Sequence, residues 1–277
     1  MVKRNQVALH KKIWAWVYVV VIALLMYAPI LVLILYSFTD SSNVGIWNGF
    51  TFSMYAKLFR NKEIMRVVMN TLIVAVVSSI IATILGTLGA IGTFNAKARS
   101  RKAIEGMTQI PIINAEIVMA MSLVVLFVIL GGVFNFLTLV VGHVVLTVAF
   151  VYLSVKPRLV QMDPSLYEAA LDLGAQPSYA LRKVILPEIL PGILSGFMLS
   201  FTLSLDDYIF TAYLKPGSFD TLSTYVQGVI AKHPLPPELR ALTTIIFIFA
   251  LLILLVNNLR ARREAKFQKF HHRKGSK

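Results

Sequence analysis

Cysteine is absent from this chain of 277 residues, so neither a disulfide framework nor a thiolate metal or redox site can be built from it. Charge is scarce too: Asp, Glu, Lys and Arg make up 14% of the residues, against roughly 25% in an average soluble domain. Acids are scarcest, 13 against 27 Lys and Arg, for a formal net charge of +14. No GxxxxGK[ST] run occurs, which excludes a P-loop nucleotide site. No His, Asp and Glu stand at metal-binding or acid–base spacing within an apolar run, so a membrane enzyme is the poorest fit. The basic excess does not describe a nucleic-acid surface, because the bases flank apolar runs instead of alternating with aromatics.

What the chain has is apolar length: 57% of it is hydrophobic. Runs of about 20 uncharged residues match a hydrocarbon core of roughly 30 Å. The expectation is an all-α membrane protein with six spans, at 13–38, 67–94, 107–130, 135–155, 188–212 and 241–259. The first run follows Lys11 and Lys12 and is too long for a signal peptide, which predicts a retained transmembrane helix. With residues 1–12 inside, 20 of the 27 bases fall on inner segments, eight of them in the tail 260–277. The positive-inside rule then predicts cytoplasmic termini, and the basic tail, with His271 and His272, reads as a headgroup anchor.

Small residues mark packing faces. Ser78, Ala82, Gly86 and Ala90 recur every fourth position, and Gly192 and Gly196 repeat the theme. Gly86, Gly89 and Gly92 follow no strand and do not read as a phosphate loop. Pro29, Pro111 and Pro191 predict helix bends or starts. His143, inside the fourth span, reads as an interhelical hydrogen bonder. Two segments, 39–66 with Trp47, Phe50, Phe52 and Tyr55, and 213–240 with Pro216, Pro234, Pro236 and Pro237, are long enough to be outer surfaces. They read either as partner-receiving faces or as interfacial loops.

Asp163 to Pro187 is the longest charged and amphipathic stretch between apolar runs. Asp163 is an N-cap residue and Pro164 suits the first helical position; Leu166, Ala169, Ala170 and Leu173 then share a face. Gly174 ends that helix. Pro177 starts a second, in which Leu181, Val184 and Ile185 share a face away from Arg182 and Lys183. Such a pair suits insertion into a groove of another protein.

Glu168-Ala169-Ala170, Gly174 and Ile185-Leu186-Pro187 resemble the EAA motif of bacterial ABC importer membrane subunits. The resemblance implies a type I ABC importer permease (MetI-like) fold in which this segment is the cytoplasmic coupling helix. It implies two copies of a cytoplasmic ATPase, a second permease subunit, an extracytoplasmic binding protein, and residence in the bacterial inner membrane. ATP and Mg would belong to the ATPase, with no cofactor in this chain. Glu116-Ile117-Val118-Met119-Ala120 and the run Ser200 to Asp207 extend the likeness, from Tyr27 to about Leu259, to spermidine/putrescine importer permeases, closest to the second of the two permease subunits. One departure is Ala115-Glu116 where that family is expected to have Pro-Asp, which keeps the charge on a longer arm.

Glu116, Asp206 and Asp207 are carboxylates inside spans, costly unless they are paired or face a watery cavity. Two readings stand side by side: successive counter-charges for a polyamine, helped by the faces of Tyr208 or Phe210, and ion pairs that serve assembly. Adjacent helical residues point about 100° apart, so Asp206 and Asp207 do not face one cavity together. A permease of the same kind for an amino acid, a sugar or an oxyanion would keep the motif without needing these acids, which argue against an oxyanion; a permease for a metal cation is a further alternative, and a secondary cation transporter would need the acids without the motif.

Overall fold

The computed structural model describes residues 2–41, 45–94, 96–163, 165–231, 236–249 and 251–252. All regular structure among them is helical. The chain divides into two compact units, residues 1–62 with 233–277, and residues 63–232.

In the first unit, α1 (Val2–Tyr36) carries an apolar stretch, Trp14–Tyr36, with no residue buried. After it the chain folds over an aromatic cluster: the Phe38 ring stacks on Phe50 at 5.1 Å and meets Phe52 edge-on at 5.6 Å. The Thr51 N–H donates to Phe38 O at 2.7 Å, and Ser37 Oγ lies 2.8 Å from Tyr55 Oη. That cluster leads into α2 (Ser53–Arg60), which buries Met54 and Leu58. Arg240, in the helix at 238–249, is buried and donates to Ser41 O at 3.0 Å. Within the segment expected as an outer surface at 39–66, the aromatics Phe50, Phe52 and Tyr55 thus pack around Phe38.

The second unit is built around α6 (Phe136–Gln161), which starts on an Asn135–Thr138 capping box. It packs between α3 (Lys62–Phe94) and α9 (Leu186–Asp206), and the small-residue ridges are where the backbones close up. A Cβ on Gly86 would stand 2.8 Å from Val151 Cβ; one on Gly192 would stand 3.0 Å from Ser154 O. Contacts this tight explain why both ridges need small side chains. Ile185 and Ile189 join Val151, Val155 and Leu159 in the shared core. At one end of this unit, α4 (Ala98–Ile113) is held by polar contacts: Lys156 pairs with Glu105 at 2.8 Å, and Arg101 donates to the terminal carbonyls of α3 at Thr93 and Phe94.

Two expected spans are not single straight helices. The run 107–130 is divided between α4 and α5 (Glu116–Ile129), whose axes differ by 107°. Asn114 and Ala115 take extended backbone just after Pro111. The division puts Glu116 on the first turn of α5, at the positive end of a helix dipole, instead of in mid-helix. The run 188–212 starts earlier and is interrupted: α8 (Pro177–Ala180), a π turn (Leu181–Ile185) and α9 make one 30-residue helix, Pro177–Asp206. The wide turn relieves Pro187, which has no N–H for the carbonyl four residues earlier. Asp207 and Tyr208 then interrupt the helix before α10 (Ile209–Leu214).

Counted with the described residues, four helices are long and apolar enough to cross a membrane, or five if the bent pair is one span. The expected sixth span is helical at 238–249 and 251–252, with residue 250 and residues 253–259 outside the described ones. So are Pro164, Pro234 and the tail 260–277. The segment 213–231 is stapled to α3, where Asn70 Nδ2 donates to Asp220 O at 2.9 Å and Thr71 Oγ1 accepts from Leu222 N–H at 2.7 Å. Lys215 pairs with Asp220, and a Thr221–Thr224 capping box opens α11 (Leu222–Ile230).

Candidate functional site

Four polar residues recur at helical spacing along the fifth span, Ser200, Ser204, Asp207 and Thr211, and all four are buried. Three of them, Ser204, Asp207 and Thr211, are hydrogen-bonded beside His143, which is fully buried on α6. The approach is close: a Cβ on the neighbouring Gly142 would collide with Leu214 and stand 3.3 Å from Phe210 Cδ1.

One imidazole spans the interruption between α9 and α10. His143 Nδ1 lies 2.7 Å from Ser204 Oγ, before the break; Nε2 lies 3.0 Å from Thr211 Oγ1 and 3.4 Å from Asp207 Oδ2, after it. Asp207 in turn holds the start of α10. Its Oδ1 accepts the Phe210 N–H at 3.1 Å, and its Oδ2 accepts the Thr211 N–H at 2.8 Å and the Thr211 hydroxyl at 2.9 Å. Ser204 Oγ reaches Ser78 Oγ on α3 at 3.0 Å, and the Ser78 hydroxyl donates to Val74 O at 2.7 Å. Since the Thr211 proton is committed to Asp207, the contact from His143 Nε2 requires a hydrogen on Nε2. The Ser204 hydroxyl has a single proton, which goes either to Ser78 Oγ or to His143 Nδ1.

Asp207, His143 and Ser204 stand in the order of a nucleophile-activating triad, but Ser204 is 3% exposed and already shared with Ser78. The group ties α3, α6, α9 and α10 together; it has no room for a reacting acyl group.

The two adjacent aspartates therefore have opposite settings. Asp207 is consumed by its partners, whereas Asp206, the last residue of α9, is exposed. Its carboxylate shares the C-terminal end of a long helix with backbone carbonyls that have no further turn to bond. Both are negative, so the place disfavours an acid and favours a cation. Tyr208, 43% exposed, stands two residues on. Glu116 is also exposed, but it begins α5 and the structure does not bring it together with Asp206. Next to it α5 turns Ile117, Val118, Met121 and Val125 outward, and packs through Ala120 against Phe210 and Leu214.

The first half of the segment 163–187 is built as its spacing predicts, whereas Pro177 starts the long helix to Asp206 and not a short second one. The Ser165 N–H donates to Asp163 Oδ1 at 3.0 Å, and this hydrogen bond holds the Asp163 carboxyl below the ordinary aspartate range. α7 (Ser165–Asp172) ends at Gly174, φ +84°. There Ala175 N–H bonds Ala170 O at 3.1 Å and Gly174 N–H bonds Leu171 O at 2.9 Å, a Schellman closure. No residue of α7 is buried; Leu166 is 46% and Leu173 89% exposed. Glu168, Ala169, Gly174, Leu186 and Pro187 are exposed, Ala170 is half-buried, and Ile185 is locked into the core beside Ile189.

Sequence reasoning missed Ser78, Ser204 and Thr211 as partners of His143 and Asp207. The signal that finds them is the 200, 204, 207, 211 stripe, four polar positions on one face of an apolar run.

Comparison with known proteins follows the same lines. The chain is 35% identical over 242 residues to the spermidine/putrescine transport system permease protein PotC of Escherichia coli strain K12, covering 87% of this chain and 91% of that protein. It is 32% identical over 228 residues to the putrescine transport system permease protein PotI of the same strain, covering 80% and 81%. Its fold resembles that of a bacterial ABC transporter involved in the import of the acidic polysaccharide alginate, with a TM-score of 0.67 at 19% identity over 91% of this chain and 95% of that one. Residues 82–269 match the family model of the binding-protein-dependent transport system inner membrane component, and the chain belongs to that family.

Proposed function

We propose that this chain is one of two permease subunits of an ATP-driven importer for spermidine and putrescine in a bacterial inner membrane. Six spans, with both termini cytoplasmic, form half of the path, and the apolar outward face of α5 meets the second permease. Segment 163–187 docks on a cytoplasmic ATPase, present in two copies, which supplies ATP and Mg. An extracytoplasmic binding protein delivers the polyamine to the outer segments.

The observation that carries the cargo is the division between the neighbouring aspartates. Asp207 is spent on structure, which leaves Asp206 as an exposed carboxylate at a helix C-terminus. A polyamine is a chain of ammonium groups, and each needs a counter-charge or an aromatic face to leave water. Asp206 supplies the first and Tyr208 the second; Glu116, at the start of α5, is a second carboxylate for the same path. Support for the coupling role comes from Leu166 and Leu173, which are exposed although the start of α7 and its glycine closure are well formed.

The test is uptake of labelled spermidine by proteoliposomes holding this chain with its second permease, ATPase and binding protein. Asp206→Asn is expected to raise the KM for uptake about tenfold while ATP hydrolysis remains coupled. Wild-type uptake kinetics in that variant would remove Asp206 from the path.

A further inference from the structure

Asp206 and Asp207 are adjacent, so a turn of about 100° in the helix would exchange which of them is exposed. Something must hold the register. The hydrogen bonds from Phe210 and Thr211 to Asp207 are local and would rotate with it. A fixed reference has to come from outside α9 and α10. His143 provides it, from a helix that the contacts at Gly192 and Gly196 hold against α9. Its ring bonds Ser204 before the break and Thr211 after it, with Asp207 at 3.4 Å. Two other ties act on one side of the break each: the Thr138 hydroxyl to Leu214 O at 3.1 Å fixes the far end of α10, and Ser78 Oγ on α3, 3.0 Å from Ser204 Oγ, holds α9 before the break.

We propose that His143 is the positioning residue of the substrate path: by bridging Ser204 and Thr211 across the α9–α10 break it keeps Asp207 turned inward, and so presents Asp206 and Tyr208 to the cargo. This rests on the reading of Asp206 as a path carboxylate. The hydrogen on Nε2 makes the proposal atom-specific. A glutamine amide reaches about as far as Nε2 and can donate there, whereas an asparagine amide reaches only as far as Nδ1.

The absence of cysteine makes the experiment clean within this subunit. Tyr208→Cys places a single thiol next to the two aspartates, and the whole transporter in proteoliposomes is treated with a cationic, membrane-impermeant methanethiosulfonate. His143→Gln is expected to leave the labelling rate within about twofold of the His143 parent, while His143→Asn changes it by about tenfold or more. With Tyr208 restored, His143→Asn is expected to raise the KM for spermidine about tenfold, and to add no further rise when Asp206 is already Asn. Equal labelling in the Gln and Asn variants, both present in the membrane at parental amounts, would overturn the proposal. So would a further tenfold KM loss on top of Asp206→Asn. Labelling needs no transport, so it reports on positioning even if Asp206→Asn proves silent in uptake and the cargo reading falls.

Discussion

At the break between α9 and α10, Asp207, His143 and Ser204 all find polar partners within the same subunit, whereas along α7 the side chains of Leu166 and Leu173 stand in the open. Both regions interrupt an apolar chain with polar and charged residues. At the first, burial favours pairing, because an unpaired polar group in a membrane interior costs several kcal/mol. At the second, the backbone is closed properly by Asp163 and Gly174, but Leu166 and Leu173 stay exposed on the apolar face those closures present. A completed interior is a folding device, and an exposed apolar surface is what the proposed docking on the ATPase would use. The difference separates residues whose loss should unfold this subunit from residues whose loss should silence it while it stays folded.

The strongest way to break the comparison is at Asp207. Asp207→Leu removes the acceptor for two backbone N–H groups and one hydroxyl in a buried site and leaves His143 without its carboxylate neighbour. The expected loss is about 3–5 kcal/mol, the range for breaking a buried polar or charged pair, read as a large fall in Tm in detergent or as loss of protein from the membrane. Asp207→Asn keeps an acceptor for the start of α10 and should cost only about 1 kcal/mol. Equal stability of the Leu variant and the parent would mean that the cluster does not hold the helices.

The opposite result is expected on α7. Leu173→Asp alters an 89% exposed side chain, so the stability of the subunit should move by no more than about 0.5 kcal/mol. Recovery of the ATPase with the permease, and spermidine uptake, should fall about tenfold or more, as for a truncated anchor at an interface. A normal ATPase complex in that variant would remove Leu173 from the docking face and weaken the contrast between the two regions.

Much of this contrast was legible in the residues. The ridges at Gly86 and at Gly192 and Gly196 do seat helices, and Gly174 does close α7, because small side chains and a left-handed φ have few other uses in such settings. The bend at Asn114–Ala115 was not legible, since hydropathy counts apolar residues in a run while two extended dihedral pairs reverse its direction. Pro187 read as the end of a coupling helix, yet a π turn one step earlier carries the helix past it. Asp206 and Asp207 were equivalent as letters. Only the break, and the histidine on another helix, distinguishes them, and that partnership spans 61 residues between His143 and Ser204.

The smallest expected effect sharpens the comparison at the exposed end. Asp163 is fully solvated, and hydrogen bonds from the Ser165 N–H and, secondarily, the Ser165 hydroxyl depress its carboxyl below the ordinary value of about 4. A depressed carboxylate supports the helix start above that ordinary value, and the support is lost as pH falls through the lower folded value. Hydrogen exchange over residues 165–172, corrected for intrinsic rate, should therefore rise in the parent only as pH drops below about 4, and Asp163→Ala should show the raised exchange at neutral pH with no such step. Uptake at neutral pH should change by less than about twofold, because α7 keeps its glycine closure. A pH step that persists in the Ala variant would mean that the acid sensitivity of α7 does not come from Asp163, and would separate the start of the helix from its exposed apolar face.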